Sequence, residues 1–255
     1  MQDIKKIYRN EYQGENVNTV ALYINGKWAY EKEFVPNVQP EPKFKQAIVI
    51  GNGISRLDFD LPLFLPHRKK TAWNEYTDWQ LAKTVKKHNT YGCNALYRDY
   101  RVDYLVVTGE ELINEVGSSV YPDNNVCYAN KLDIMKYPGK YNLIPQDPQW
   151  NSGALAAYIA AFDGNRKIFM LGFDGIDNST NNYNCYAGTA GYYPKDGRVN
   201  ENYWVQSLAK VMNTYNDTEF VRVAPTTSFR TPELWKYCLN FRTVNFRQFV
   251  LEADL

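Results

Sequence analysis

The sequence predicts an α/β protein whose mostly parallel sheet is flanked by helices and preceded by an N-terminal β-hairpin extension. Short apolar runs alternate along the chain with longer segments of helical periodicity, a pattern typical of parallel strands joined by crossovers. The apolar runs are continuous, as expected for strands buried on both faces. With 255 residues, 44% of them hydrophobic, the chain is long enough to bury such a core.

The first 45 residues differ from the rest and form the first predicted domain. Residues 20–34 predict two strands around Asn25 and Gly26, a dipeptide that suits a type I′ turn. Three prolines within residues 35–45 indicate an extended linker. We interpret the hairpin as an element on the surface of the second domain, residues 46–255. Homo-oligomer assembly and substrate binding are its alternative roles.

From residue 46 onward, predicted strands and helices alternate. Apolar runs predict buried strands within residues 46–53, 101–109, 124–130, 166–174 and 218–225. Helical periodicity predicts helices within residues 77–89, 110–119, 151–164 and 201–216. We expect four strands to be parallel neighbours in one sheet, those that end at Ile50, Val107, Leu171 and Val223.

Composition argues against several classes of protein. The 29 basic and 28 acidic residues give a formal charge of +1, without the basic excess of a protein that coats DNA. No apolar run approaches the roughly 20 residues that span a bilayer, and the first 16 residues contain no apolar stretch of the signal-peptide kind. We therefore expect a cytoplasmic location. The abundance of Asn, Tyr and Lys suits a bacteriophage or an AT-rich bacterium, and thus the host cytoplasm if the protein is phage-encoded.

The cysteines predict neither a disulfide framework nor a metal site. They are far apart and form no CxxC pair, and the only histidines are His67 and His88. We interpret His88 as a residue at a helix end in favourable contact with the helix dipole. We interpret the four cysteines as reduced thiols; they are Cys93, Cys127, Cys185 and Cys238.

The first predicted strand ends in a glycine turn that is a candidate nucleotide site. In open parallel sheets, ligands bind at the carboxyl ends of strands. Gly51 and Gly53 permit a tight turn and a close approach to a ligand, and the Asn52 amide both donates and accepts. The third glycine of the dinucleotide fingerprint is replaced by Arg56. A plain strand-to-helix turn is the alternative.

Two further strand ends carry candidate binding residues. Asn94 is a candidate contact to a nucleobase or ribose, with a helix cap as its alternative. Ser152 and Gly153 begin a helix whose free amides could receive a phosphate, unless Asn151 or Ser152 is an ordinary N-cap. Asp174 closes a buried strand, where it could accept from a hydroxyl, act as a base or form a turn.

The order of these motifs resembles that of the bacterial sialyltransferases with a single Rossmann-like domain. The resemblance covers residues 47–230 and includes the strand and turn at residues 219–229. The wider superfamily includes pyrophosphokinase-like enzymes of pterin metabolism, so a nucleotide site is its broader implication. The matching motifs are GNGIS at residues 51–55, CN at 93–94, NSG at 151–153 and GFD at 172–174.

The resemblance implies a metal-independent glycosyltransferase with a CMP-type sugar donor as substrate and no cofactor. Asn52 and Asn94 would hold the cytidine and phosphate. Ser152 and Gly153 would meet the phosphate or the sugar carboxylate, and Asp174 the ribose. If the protein is phage-encoded, the acceptor would be a surface glycan or a modified DNA base.

Residues 177–197 resemble the flexible lid of that family, whose tyrosine hydroxyls stabilise the departing phosphate. Tyr183 and Tyr186 are the candidate catalytic tyrosines, with Tyr192 and Tyr193 nearby. We expect residues 175–197 to be mobile without ligand and protected from proteolysis when nucleotide binds.

This sequence departs from the family at two places. Ile176 replaces a tyrosine, and no histidine follows the lid to act as the general base. Asp177 or Asp196 is therefore the candidate base. Two alternatives stay open: a Mg²⁺-dependent nucleotidyl or pyrophosphoryl transferase, and a non-catalytic module for nucleotide binding or assembly.

Overall fold

The chain forms two compact units. The computed structural model describes residues 3–12, 15–24, 27–68, 79–134, 136–146, 148–174, 184–192, 201–225 and 230–255. The first unit contains Met1–Glu41 and Val107–Gln149, and the second contains Pro42–Val106 and Trp150–Leu255. The first unit thus combines the N-terminal strands with a later part of the chain, whereas the sequence-based division places one boundary near residue 45.

The strands of the described residues are, in chain order, β1 (Asp3–Tyr12), β2 (Glu15–Ile24), β3 (Lys27–Phe34), β4 (Gln46–Ile50), β5 (His67–Arg68), β6 (Trp79–Gln80), β7 (Asn89–Cys93), β8 (Tyr104–Val106), β9 (Val126–Ala129), β10 (Asn142–Leu143), β11 (Lys167–Leu171), β12 (Glu219–Val223) and β13 (Phe241–Val244). The α-helices are α1 (Glu110–Gly117), α2 (Tyr121–Asn124), α3 (Ser152–Phe162), α4 (Glu201–Thr214) and α5 (Phe246–Glu252). Shorter 3₁₀ helices lie at Ile54–Asp58, Leu61–Leu63, Asn94–Arg98 and Glu233–Tyr237.

The first unit contains the N-terminal antiparallel strands and two short parallel ones. β2 pairs with both β1 and β3, so the predicted hairpin strands are present, and β1 adds a third that the sequence analysis did not predict. The turn residues 25–26 lie outside the described residues. β9 and β10 pair in parallel. The Tyr141 hydroxyl donates to the carbonyl of Ile113 in α1 at 2.8 Å, which connects α1 to the start of β10.

The second unit contains a parallel sheet with the order β8-β7-β4-β11-β12-β13. When the six strands are numbered by their order along the chain, they lie side by side as 3-2-1-4-5-6, which is the Rossmann strand order. The chain leaves β4 toward β7 and later returns on the other side with β11. The topological switch point therefore lies between β4 and β11, where ligands of such sheets bind.

Helices cover this sheet with apolar side chains. The Asn151 side chain caps α3 by accepting from the Ala154 N–H at 2.9 Å. The many alanines of α3 let it pack closely on β4, β7 and β11, and its residues from Ala154 to Ala161 are buried. In α5, the Phe249 ring lies 5.1 Å from the Phe169 ring of β11. The predicted α/β class with a mostly parallel sheet flanked by helices is confirmed.

The expected neighbours in the sheet are mostly correct. β4, β11 and β12 are adjacent and parallel, as predicted. β8 is not adjacent to β4, because β7 lies between them and pairs with both. No strand was predicted between residues 53 and 101, so β7 was missed. The sequence analysis also missed β13 and α5.

The helix predicted at residues 77–89 is wrong over its described part, residues 79–89. Lys83 and Thr84 donate their backbone N–H groups to the carbonyls of Pro62 and Leu63, at 3.0 and 2.9 Å, instead of to the preceding helical turn. Leu81 is 84% exposed, so the apolar positions that suggested a buried helix face are not covered. The crossover from β4 to β7 contains 3₁₀ turns and loops in its described part.

His88 is therefore not at a helix end, and the dipole interpretation is wrong. It is buried directly before β7, where its Nε2 lies 3.3 Å from the Gln46 side-chain oxygen and its ring contacts the Phe169 ring edge-on. Burial, and secondarily the Lys87 ammonium, lower the pKa of His88 to about 4, while Asp254 raises it in part. The native state thus holds this imidazole neutral at pH 7.

This lowered pKa predicts a loss of stability in mild acid. Between the ordinary histidine pKa near 6.5 and a pKa of about 4, the unfolded chain binds a proton that the native state excludes. The free energy of unfolding should therefore fall by about 3 kcal/mol as the pH falls through this range. Urea unfolding at pH 7 and pH 4 measures the loss. His88→Gln should reduce this loss, and an equal loss in that variant would assign it to other groups.

Candidate functional site

The sequence-predicted residues of the second unit converge at the switch point of the sheet. The Gly51 N–H donates to the Leu171 carbonyl at 2.8 Å, and the Gly53 N–H donates to the Gly172 carbonyl at 3.0 Å. The Asn52 amide donates to the Cys93 carbonyl at 3.3 Å. These contacts bring the carboxyl ends of β4, β7 and β11 together. We call this group of residues, with the start of α3, the switch-point site.

The three glycines of the switch-point site allow two strand ends to lie against each other. A Cβ atom on Gly51 or on Gly53 would lie 2.5 Å from the Gly172 carbonyl oxygen. Gly172 has a φ of +71°, and a Cβ there would lie 2.8 Å from the Gly51 oxygen. The close approach that these glycines permit in the structure is therefore between two parts of the chain.

Arg56 fixes the orientation of the Asn52 side chain. Its Nη1 donates to the Gly51 carbonyl at 2.7 Å and to the Asn52 Oδ1 at 2.8 Å. A guanidinium only donates, so the amide oxygen must face Arg56 and the amide nitrogen must face the opposite way. Asn52 is consequently a hydrogen-bond donor toward Cys93 and Tyr192.

Arg56 is the functional candidate that the sequence analysis did not select. The side chain is 2% exposed, and its Nε has no hydrogen-bond partner in the described part of the chain. None of the ion pairs among the described residues includes Arg56. A buried cation of this kind favours a bound anion. One sequence signal pointed to Arg56. It is the last residue of GNGISR, the position at which the dinucleotide fingerprint has glycine.

Asn94 lies at the end of β7 in a left-handed conformation, with a φ of +50°, and it is 8% exposed. The hydroxyl of Tyr192 accepts from the Asn52 amide at 2.9 Å and also hydrogen-bonds with the Asn94 side chain and the Ala95 backbone. Burial raises the pKa of Tyr192 to about 12, so its hydroxyl is protonated at neutral pH. The two asparagines predicted to hold a nucleotide thus meet at one oxygen atom.

Asp174 is bound to the turn that follows β4. Its carboxylate accepts from the Ser55 backbone N–H at 3.1 Å and from the Ser55 hydroxyl. Burial raises the pKa of Asp174, while the Ser55 hydrogen bonds and the positive charge of Arg222 lower it in part. The carboxylate is 6% exposed and connects β11 to the first turn after β4. In this arrangement Asp174 positions the glycine turn.

The start of α3 completes the switch-point site. Asn151, one of the two predicted N-cap residues, is the cap. The Ser152 side chain hydrogen-bonds with the Cys93 thiol, whose pKa burial raises to about 11. At Gly153, the nearest atom to an added Cβ would be the Asn151 Oδ1 at 3.4 Å. The positive end of the α3 dipole therefore adjoins the end of β7.

Tyr186 is the one predicted catalytic tyrosine within the described residues. Its hydroxyl donates to the Asp99 carboxylate at 2.8 Å. Its ring lies 5.1 Å from the Arg56 guanidinium carbon and 5.9 Å from that of Arg98. Burial raises the pKa of Tyr186, so the hydroxyl remains a donor. The other candidates of the lid, Asp177, Tyr183, Tyr193 and Asp196, lie outside the described residues.

Metal-ligand clusters, cavities and membrane-spanning helices would each indicate another kind of site. Within the described ranges, no group of three or more His, Cys, Asp or Glu side chains is placed to hold a metal ion. A cavity of about 10 Å³ beside His88 is lined by Ile48 and Phe64 among others and has room for about one water molecule. None of the helices described has the length and apolar character that crossing a bilayer requires.

Comparison with known proteins yields no relative of this chain. No protein-family model, no curated protein and no solved structure matches it. The geometry of the switch-point site is therefore the basis for inferring a function.

Proposed function

We propose that the protein is a metal-independent glycosyltransferase that binds a nucleotide-activated sugar, with CMP as the nucleotide, at the switch-point site. One observation carries the proposal: amide donors and a buried guanidinium meet at the switch point of a parallel sheet. Asn52 and Asn94 supply the amides, and Arg56 supplies the charge. A CMP-sugar presents the matching groups, carbonyl and hydroxyl oxygens together with one phosphate.

The charge distribution supports an anionic ligand. Arg56 is buried, and in the described part of the chain its guanidinium contacts neutral acceptors and the Tyr186 ring. Burial of a charge without a counter-charge is unfavourable by several kcal/mol. A donor phosphate beside Arg56 would supply that counter-charge, and the start of α3 would add its positive dipole.

The proposed reaction is a direct displacement. An acceptor hydroxyl attacks the anomeric carbon, the bond from that carbon to the phosphate oxygen breaks, and CMP leaves as the phosphate anion. Hydrogen bonds from Arg56 and Asn52 would stabilise the charge that develops on the phosphate. Asp177 or Asp196 would take the acceptor proton, and Tyr183 would donate to the leaving group, because the Tyr186 hydroxyl is bound to Asp99. The acceptor is a glycan or a modified DNA base, and the reaction takes place in the cytoplasm.

The first test is the thermal stability of the protein with CMP, UDP, GDP and ADP, with and without Mg²⁺. We expect CMP to raise the melting temperature without Mg²⁺, because a ligand at 100 times its Kd stabilises the native state by ~2.7 kcal/mol. The same panel on Asn94→Gly locates the site. Glycine tolerates the +50° φ of this position, so only the amide is removed. CMP affinity should fall by about 1–3 kcal/mol, or roughly 5- to 150-fold in Kd.

The matched control is Gln146→Gly, which removes a side chain at a second position of positive φ, +57°. Its CMP affinity should equal that of the native chain. A stabilisation that requires Mg²⁺ would favour nucleotidyl or pyrophosphoryl transfer. No stabilisation by any of the four nucleotides would favour the non-catalytic module.

A further inference from the structure

We propose that residues 184–192 are an intramolecular competitor for the switch-point site, with the Tyr192 hydroxyl in the position of a ligand oxygen. We call these residues the plug segment. The inference rests on the proposed function, since it concerns regulation of the same site. It differs from a lid that closes over a bound donor, because the plug segment must leave before the donor can enter.

The contacts of Tyr192 carry this inference. Its hydroxyl oxygen accepts from the Asn52 Nδ2 at 2.9 Å, and both the Asn94 side chain and the Ala95 backbone hydrogen-bond with it. Arg56 holds the Asn52 amide with its nitrogen toward this oxygen. The position therefore selects a hydrogen-bond acceptor, such as a cytosine carbonyl or a phosphate oxygen. One oxygen atom can occupy it at a time.

Backbone contacts hold the start of the plug segment on the glycine turn. Asn184 forms an antiparallel bridge with Gly53, and the Cys185 N–H donates to the Asn52 carbonyl at 2.8 Å. The Cys185 thiol lies 3.1 Å from the same carbonyl oxygen. The plug segment thus extends over the turn at which the proposed ligand would bind.

Arg98 holds the middle of the plug segment. Its guanidinium donates to the Thr189 hydroxyl at 2.8 Å and to the Ala190 carbonyl at 2.9 Å. Within the segment, the Gly188 N–H donates to the Tyr192 carbonyl at 2.7 Å, and the Tyr192 N–H donates to the Thr189 carbonyl at 2.8 Å. These bonds hold the segment in a compact turn while it covers the site.

The plug segment also covers the positive charge of the site. The Tyr186 ring lies over Arg56, stacks with the Tyr192 ring at 6.1 Å and is held by its hydrogen bond to Asp99. The plug segment thereby occupies both kinds of group that are proposed to bind the nucleotide, the amide donors and the guanidinium. Apparent affinity for a nucleotide then equals the intrinsic affinity multiplied by the fraction of molecules in which the segment is displaced.

Tyr192→Phe tests the competition, because it removes the hydroxyl and keeps the ring. Loss of this oxygen weakens only the arrangement in which the plug segment covers the site. Calorimetry should therefore show that CMP binds this variant 3- to 10-fold more tightly than it binds the native chain. Hydrogen exchange should also rise at the backbone amides of Cys185, Gly188, Thr189 and Tyr192. Addition of CMP to the native chain should raise exchange at the same amides, whereas a closing lid would lower it.

Tyr91→Phe is the matched control for loss of a buried tyrosine hydroxyl. Tyr91 donates to Asp163 at 2.9 Å and accepts from Asn165 at 3.2 Å, within the second unit and outside the switch-point site. This variant should lose stability without any change in CMP affinity or in exchange of the plug segment. An equal gain in affinity in both variants would overturn the competition.

Failure of the two proposals can be told apart. If CMP binding is unchanged or weaker in Tyr192→Phe, the plug segment is not a competitor. The proposed nucleotide site is not contradicted by that result. Unchanged exchange of the segment in Tyr192→Phe also overturns it, whether or not a nucleotide binds. If exchange rises but none of the four nucleotides binds either chain, the proposed function fails and the competition fails with it.

Discussion

Gly172→Ala is expected to lower the free energy of unfolding by roughly 2–5 kcal/mol. The residue has a φ of +71°, which alone disfavours alanine by about 1–2 kcal/mol. Its new Cβ would also lie 2.8 Å from the Gly51 carbonyl oxygen, a backbone atom that cannot rotate away. Separation of the two strand ends would weaken the 2.8 Å bond from the Gly51 N–H to Leu171. Urea unfolding followed by circular dichroism measures the loss.

Gly164→Ala separates backbone strain from crowding. Gly164 has a φ of +82°, and no atom lies within 4 Å of the Cβ that alanine would add. This variant should therefore lose only the conformational part, about 1–2 kcal/mol. Equal losses in Gly164→Ala and Gly172→Ala would contradict the close approach of β4 and β11. The proposed nucleotide site would then lose its structural basis.

The parallel strands could be predicted because burial on both faces leaves a direct mark in the sequence. The apolar runs that became β4, β11 and β12 are of this kind, and all three lie where the alternation of strands and helices indicated. β7 left no such mark. It begins with Asn89, whose buried side chain bonds with Asn165 at 2.9 Å and with the Phe44 carbonyl at the same distance. Polar residues satisfied by distant partners resemble a loop in the sequence.

The helix predicted at residues 77–89 shows the opposite error. Helical spacing of Leu81 and Val85 suggested a buried face, yet these side chains are 84% and 80% exposed. The backbone found its hydrogen-bond partners in the loop at Pro62 and Leu63 instead. Periodicity predicts a helix only where the rest of the protein covers the apolar face, and that condition is not encoded locally.

The position of the candidate site could be predicted more fully than its contacts. Glycine-rich and polar residues at strand ends predicted the site near Asn52, Asn94 and Ser152, since parallel strands share one carboxyl edge. The partners of Asn52 could not be predicted. Tyr192 lies 140 positions along the chain from Asn52. Arg56 is only four positions away, but the ring that lies over its guanidinium belongs to Tyr186, in a distant part of the chain.

Arg56→Met should nearly abolish CMP binding, with a loss of roughly 30- to 1,000-fold in affinity, from about 2–4 kcal/mol. Methionine has a similar length but neither charge nor donors. The phosphate would lose its counter-charge, and the Asn52 amide would be free to rotate away from its donor orientation. The free energy of unfolding should fall by only about 1–3 kcal/mol, because removal of an unpaired buried charge offsets part of the two lost hydrogen bonds.

Two further variants distinguish this role from a general loss of stability. Arg56→Lys keeps the charge and should recover part of the affinity, although its ammonium lacks the planar fork of donors that a guanidinium presents to a phosphate. Trp235→Phe changes a buried side chain outside the switch-point site, whose indole donates to the Val205 carbonyl at 2.9 Å. It should destabilise the fold yet bind CMP with unchanged affinity. Equal affinity losses in Arg56→Met and Trp235→Phe would show that both act through the fold, and Arg56 would then be a structural residue without a phosphate partner.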